Sequence, residues 1–207
     1  MSEPLLVQLA ASLARSVGES ERKRARLHLL DWLACVAGAR GAELFAGDVL
    51  ERAALRCNVL EMDDVHRLGR LHPGPVVWPA ALAAHAAMDD LLDAAVRGYE
   101  AMIAVGETLD DRHYAHFHPT ATAGVFGAAA ATASSTSMAS ALGFAGSVCG
   151  GLWQMRHEPG AGKQWHVLHA VETGRRAAAF AQAGNPGPVR LLEGPQGLYA
   201  ARFPLVG

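Results

Sequence analysis

The chain has 207 residues, 51% of them apolar but only 6% aromatic, and a formal net charge of −2. That length permits one ample core or two small domains, and an apolar fraction dominated by Ala and Gly suits closely packed helices better than a β-sandwich. The near-balanced charge argues against a nucleic-acid partner or an anionic membrane surface.

The opening stretch "MSEPLLVQLAASLAR" puts an acid before its apolar residues and has no basic leader region, so no signal peptide is expected. Apolar residues recur at helical spacing through "PLLVQLAASLARSV", with Gly18 as the expected end of that helix. Ser20 is the expected cap of a second helix, "ERKRARLHLLDWLACVAGAR", basic at first and apolar afterwards. A shorter helix is predicted over residues 44–58. "EMDDVHRLGRLHPGP" then breaks every periodicity with glycine, proline and charge, and reads as a loop. Helical spacing returns in "PAALAAHAAM" and in "DLLDAAVRGYEAMIAVGETL", the latter capped by Asp89 or Asp90. His28 and His85 fall in mid-helix and are assigned to packing or surface.

Residues 113–155 contain no Asp, Glu, Lys or Arg. A bilayer crossing needs roughly 20 strongly apolar residues, and the polar turn "SSTS" cuts this run into two shorter halves rich in Ala and Gly. Two buried helices are expected, and no membrane span. A glycine-rich linker, "HEPGAGK", leads to a final helix over residues 165–183, stopped by "GNPGP". The tail is too broken for helix and has room for one short strand. The expected fold is all-α: a single helical domain over residues 1–190 with a truncated tail at 191–207. Cys35, Cys57 and Cys149 are odd in number, far apart and without CxxC spacing. They read as small core residues of a cytoplasmic protein.

Side chains able to do chemistry gather in three places: Glu61, Asp63, Asp64, His66 and His72; then His113, His116 and His118; then His157, Lys163, His166 and His169. Lysine is scarce, with only Lys23 and Lys163, and a desolvated lysine can exchange a proton where arginine cannot. "HYAHFH" could place two imidazoles on one helical turn, but neither HExxH nor a Cys/His framework accompanies it. No metal and no cofactor are expected.

Four segments, "LEMDDVHRLGRLHPGPVVWPAALA", "HFHPTATAGVFGAAAA", "ALGFAGSVCGGLWQ" and "KQWHVLHAVETG", resemble in content and order the MmgE/PrpD family. That family includes 2-methylcitrate dehydratase, cis-aconitate decarboxylase and iminodisuccinate epimerase. The resemblance runs from about Arg24 onward. It implies a helical domain that normally carries an α/β lid, small di- and tricarboxylate substrates, and no metal or iron–sulfur cluster. By motif position it implies catalytic roles for Glu61, His72, His118 and Lys163. Asp63, Asp64, His66, Thr120 and His166 would bind substrate, while His113 and His116 stand by.

The resemblance also locates the start of a lid just past "LEGPQGLYA", so half of an active site is expected here. The expected function is cofactor-free acid–base chemistry on a small polycarboxylate: dehydration, decarboxylation or epimerisation. The expected partners are a second copy, joined through the Ala/Gly-rich helices, and a separate lid-bearing subunit. Two alternatives stay open: a non-catalytic family remnant that binds small acids or supports assembly, and a metal-dependent hydrolase built on the histidines.

Overall fold

The computed structural model describes residues 2–42 and 47–201. Among them the chain forms nine α-helices and one short 3₁₀ helix, with no strand beyond two isolated β-bridges. The all-α expectation holds.

Helix α7 (Pro119–Thr132) is the axis of the domain. It has no charged side chain, and every residue from Pro119 to Ala131 is buried. Around it pack α4 (Gly74–Ala84), α5 (Met88–Gly106), α8 (Met138–Gly146) and α9 (Gly162–Gln182). A helix apolar on all sides belongs in the middle of a bundle, since no face can be turned to water without loss. Its alanines contribute roughly 0.8 kcal/mol per buried methyl, so the gain comes from number and close approach. A Cβ added at Gly98 would lie 3.0 Å from the Gly127 carbonyl oxygen, and one at Gly174 would lie 2.5 Å from the Ala129 nitrogen. Only glycine lets these helices meet at that distance.

The first three helices, α1 (Leu5–Leu13), α2 (Glu19–Gly38) and α3 (Val49–Val59), flank this centre. Several ends differ from the sequence reading. Helix α1 stops at Leu13, and Gly18 instead precedes α2 as its N-cap. Ser20 lies inside the first turn. The Glu21 carboxylate at N3 reaches back to accept the Gly18 N–H at 2.7 Å, the glutamate half of a capping box.

Helix α3 starts at Val49, because Asp48 accepts from the Leu50 and Glu51 N–H groups at 2.8 and 2.9 Å. The earlier start expected at residue 44 lies outside the described residues. His85 is not mid-helical: it ends α4 in extended conformation and donates from Nε2 to the Ala131 carbonyl at 3.2 Å. Ala87 precedes α5 without a side-chain cap. Asp89 and Asp90 fall in its first turn, where negative charge is stabilised by the positive end of the helix dipole.

Helix α9 begins at Gly162, three residues earlier than expected, which puts Lys163 on its first turn. The tail shows no strand among the described residues. Residues 189–200 form turns, and Leu192 is buried in the core.

No helix among the described residues is long and apolar enough to cross a membrane.

Candidate active site

The acidic loop between α3 and α4 is held by its own side chains. Asp63 is buried, and both its carboxylate oxygens accept from the Asn58 amide, at 3.1 and 3.0 Å. Its Oδ2 also lies 2.9 Å from His72 Nδ1. The geometry is not that of a formed hydrogen bond, so this is a close contact only.

Asp64 faces a different set of partners. Oδ1 accepts the Gly74 N–H at 2.8 Å, capping α4 after Pro73. Oδ2 accepts from Tyr99 at 2.6 Å and from His28 Nδ1 at 3.1 Å, and the Tyr99 oxygen in turn accepts from Trp78 Nε1 at 3.1 Å. The hydrogen bond to Asp64 raises the pKa of His28, and burial pushes the Tyr99 phenol well up. His28, assigned by its mid-helix position to packing or surface, is partly exposed and is also a partner of the acidic loop.

Two further sequence candidates are engaged as struts. Thr120 is fully buried and accepts the His72 backbone N–H at 3.1 Å. His66 takes the Gly69 N–H on Nδ1 at 3.2 Å and sets Nε2 3.5 Å from Glu107.

His118 sits at the head of α7 and is 1% exposed. Its backbone N–H donates to the Gly151 carbonyl at 2.8 Å, beside the Phe117–Leu152 bridge. Its ring lies against Trp153 with centroids 4.5 Å apart, and its Nδ1 is 3.3 Å from His166 Nδ1. Burial drives the His118 pKa well below the usual imidazole range, and the nearby His166, Lys163, His72 and Arg156 push it the same way. His166 is lowered too, by burial first and then by His169. Lys163 closes the group with an ion pair to Glu61, whose backbone adopts a left-handed φ of +55°. Such a conformation costs a non-glycine residue of order 1–3 kcal/mol and is found mostly where function holds it in place.

The structure therefore brings Glu61, His72, His118, Lys163 and His166 into one cluster, with Asp63 behind His72. It also adds Arg156, which sequence reasoning missed. This guanidinium lies 3.4 Å over the Trp153 ring and donates to the Tyr114 hydroxyl at 2.8 Å, on the short helix Trp153–His157. No spacing rule flags a lone arginine in a linker. Its one local signal is the three-residue spacing of Trp153 and Arg156 in "WQMR", which lets the guanidinium reach the ring.

His113 and His116 of α6 (Asp111–His116) line a separate groove of about 720 Å³ with Phe117, Thr122, Cys149 and Tyr199. A second groove of about 650 Å³, around His85, Glu172 and Arg175, lies near the carboxy-terminal end of α7. Neither groove is lined by the clustered residues. Among the described residues no group of three or more His, Cys, Asp or Glu is arranged to hold a metal ion.

The lowered histidines fix a pH dependence. His118 is neutral when folded and returns to a value near 6.5 when unfolded. Below that pH the unfolded chain binds the extra proton, so stability is lost as pH falls. The slope attributable to His118 is up to about 1.4 kcal/mol per pH unit below 6.5. His113 and His166 act in the same direction. His28, whose pKa is raised, acts oppositely: its contribution is full in acid and disappears as pH rises through the raised value. Urea midpoints measured from pH 8 to pH 5 are expected to fall, and to fall less steeply in His118→Asn. Equal slopes in the two proteins would show that His118 is not held neutral.

The profile of one protein family, the MmgE/PrpD N-terminal domain, matches residues 52–205. That stretch contains Glu61, His72, His118 and Lys163 and leaves out His28. No individually curated protein matches the chain significantly.

Proposed function

This chain belongs to the MmgE/PrpD family, through that family's N-terminal domain, and from that premise we propose that the cluster around His118 binds a small di- or tricarboxylate for metal-free acid–base chemistry. The observation that carries the reading is the meeting of a neutral, buried imidazole with two cations, Lys163 and Arg156. A neutral His118 takes a proton from the carbon next to a substrate carboxylate. Lys163 and Arg156 bind the carboxylates and the enolate-like charge that develops. His72, steadied by Asp63, faces the same charge. Positioned proton transfer of this kind contributes roughly 10²–10⁴-fold. Glu61 is the candidate acid that returns the proton or assists departure of hydroxide. Dehydration, decarboxylation and epimerisation of a polycarboxylate all use this set of groups.

In the free protein Glu61 neutralises Lys163, so an incoming anion must take Glu61's place. A lid-bearing subunit would cover the cluster and exclude water. The satisfied Glu61–Lys163 pair also favours a second reading, in which the chain binds small acids or supports assembly without turnover. Self-association would use a surface other than α7, which its neighbours enclose. Exposed Leu27, Leu30 and Leu33 on α2 offer such a face.

Titration calorimetry of the chain with citrate and itaconate tests the site. Binding in the millimolar range, roughly −4 kcal/mol, is expected. Lys163→Met is expected to abolish it, and Glu61→Gln to preserve or strengthen it by removing a competing charge. Unchanged binding in Lys163→Met would remove that lysine from the site and overturn the reading.

A further inference from the structure

We infer that His118 and His166 hold one proton between their Nδ1 atoms, so that His166 sets the tautomer of His118 and carries away the proton His118 removes. The inference rests on the acid–base reading above for its role in turnover. The pairing itself stands on the geometry of the free protein.

The two Nδ1 atoms are 3.3 Å apart. A hydrogen bond between them needs one N–H and one lone pair, so the rings must be opposite tautomers. Two N–H groups, or two lone pairs, would repel at that distance. Neither ring is free to turn away. His118 is anchored at the head of α7, bonded to Gly151 and pressed against Trp153. On the other side, Gly151 passes so close to His166 that an added Cβ would lie 3.1 Å from its Nδ1 and 2.5 Å from the Ala121 Cβ. Gly151 also has φ of +131°, a conformation side chains resist, so the fold reserves glycine at the point where the rings meet.

The charged and titratable groups that act most on His118 are His166 and Lys163 from α9, His72 from the acidic loop and Arg156 from the 3₁₀ helix. None of these four is a carboxylate; Glu61 pairs with Lys163 and Asp63 lies against His72. In a His–carboxylate pair the carboxylate accepts a hydrogen bond from Nδ1–H and steadies the imidazolium without taking the proton. Here the neutral His166 ring takes that place.

Proton movements balance through the pair. In the resting state His118 carries its hydrogen on Nδ1, leaving the Nε2 lone pair as the base, and His166 carries its hydrogen on Nε2. When His118 Nε2 accepts a substrate proton, the Nδ1 proton passes to His166 Nδ1. His118 is then neutral again, and the charge is on His166, which is less deeply buried and releases its Nε2 proton to water. Returning a proton from His118 Nε2 to the substrate reverses each transfer and restores both tautomers. His166 is thus a positioning residue that acts through His118.

Long-range ¹H–¹⁵N NMR of the imidazoles, on ¹⁵N-labelled protein without ligand, tests this. The expected result is Nδ1–H on His118 and Nε2–H on His166, with both rings responding together to the first proton as pH is lowered. In His166→Leu, His118 is expected to revert to the Nε2–H form common in free imidazole and to titrate alone. In His166→Asn, whose carbonyl oxygen can accept in place of Nδ1, His118 is expected to keep Nδ1–H. The same tautomer on both rings, independent titrations, or His118 signals unmoved in His166→Leu would overturn the inference. Should a variant not fold, the tautomers of the unsubstituted protein decide it alone. Because no ligand is present, the outcome is separate from the calorimetric test: opposed tautomers without acid binding would leave the pair intact and discard the substrate reading.

Discussion

Asp63→Ala is expected to destabilise the domain by about 3 kcal/mol, because it removes the charged acceptor of the buried Asn58 amide and leaves that amide unsatisfied. The Asp63 side chain is 1% exposed, and two groups depend on it. The Asn58 amide gives its hydrogens to both carboxylate oxygens, and Asn58 is itself fully buried with its own Oδ1 already unpartnered. His72 Nδ1, 2.9 Å away, has no other partner. Truncation strands the amide and exposes His72 to reorientation, while water gains little access to compensate. Urea unfolding measures the loss, and the melting temperature should drop by roughly 10 °C at this chain length. A loss under about 1 kcal/mol would mean that the carboxylate is hydrated and the loop not fastened through it.

Gly174→Ala carries the next largest expected effect on stability, and its sign opposes helix propensity. In an ordinary helix interior the change gains up to about 1 kcal/mol. At this position the added Cβ would lie 2.4 Å from the Ala128 Cβ, 2.5 Å from the Ala129 nitrogen and 2.8 Å from the Ala128 carbonyl carbon. Two of these atoms are backbone and cannot rotate aside, so α7 and α9 must move apart. Overpacking of a tight core costs about 1–3 kcal/mol or more, and the expected net is a loss of about 2 kcal/mol. Gly38→Ala is the contrast, because its Cβ would meet only the flexible tip of Leu60 at 3.4 Å. That variant is expected to be neutral or slightly stabilising in the same urea assay. Similar signs for both would mean that the α7–α9 contact is looser than the distances imply.

What the sequence made legible follows from what is local. The absence of charge over residues 113–155 and the small residues within it were enough to place two buried helices. Gly184, Asn185 and Pro186 were enough to end the last one near Gln182. Caps were read less well: Gly18 and not Ser20 is the N-cap of α2, and Glu21, three residues on, accepts the Gly18 N–H. The candidate site was named by motif, and motif alone does not say what a side chain points at. Asp64 and Thr120 look like ligand-binding groups in "MDDVH" and "HPTAT", yet each is spent on a backbone N–H. His28 and Arg156 escaped because their contacts join segments 36 and 42 residues apart, to Asp64 and Tyr114. Such pairings arise only when helices pack, and no spacing within either segment encodes them.

Enclosure of α7 also governs how long its backbone keeps its hydrogens. An amide exchanges with deuterated solvent only when its hydrogen bond opens to water, and helices packed on every side open only with the whole domain. From Ala123 to Ala131, α7 has no solvent-facing side along which a local fluctuation could start. His118 is the N-cap of the helix expected to exchange most slowly, whereas Lys163 stands in the first turn of α9, where fraying begins. The buried imidazole is thereby tied to the most persistent element of the domain and the cation to one of its most easily opened ends, so the lysine can be released and recaptured on a timescale at which the histidine does not move.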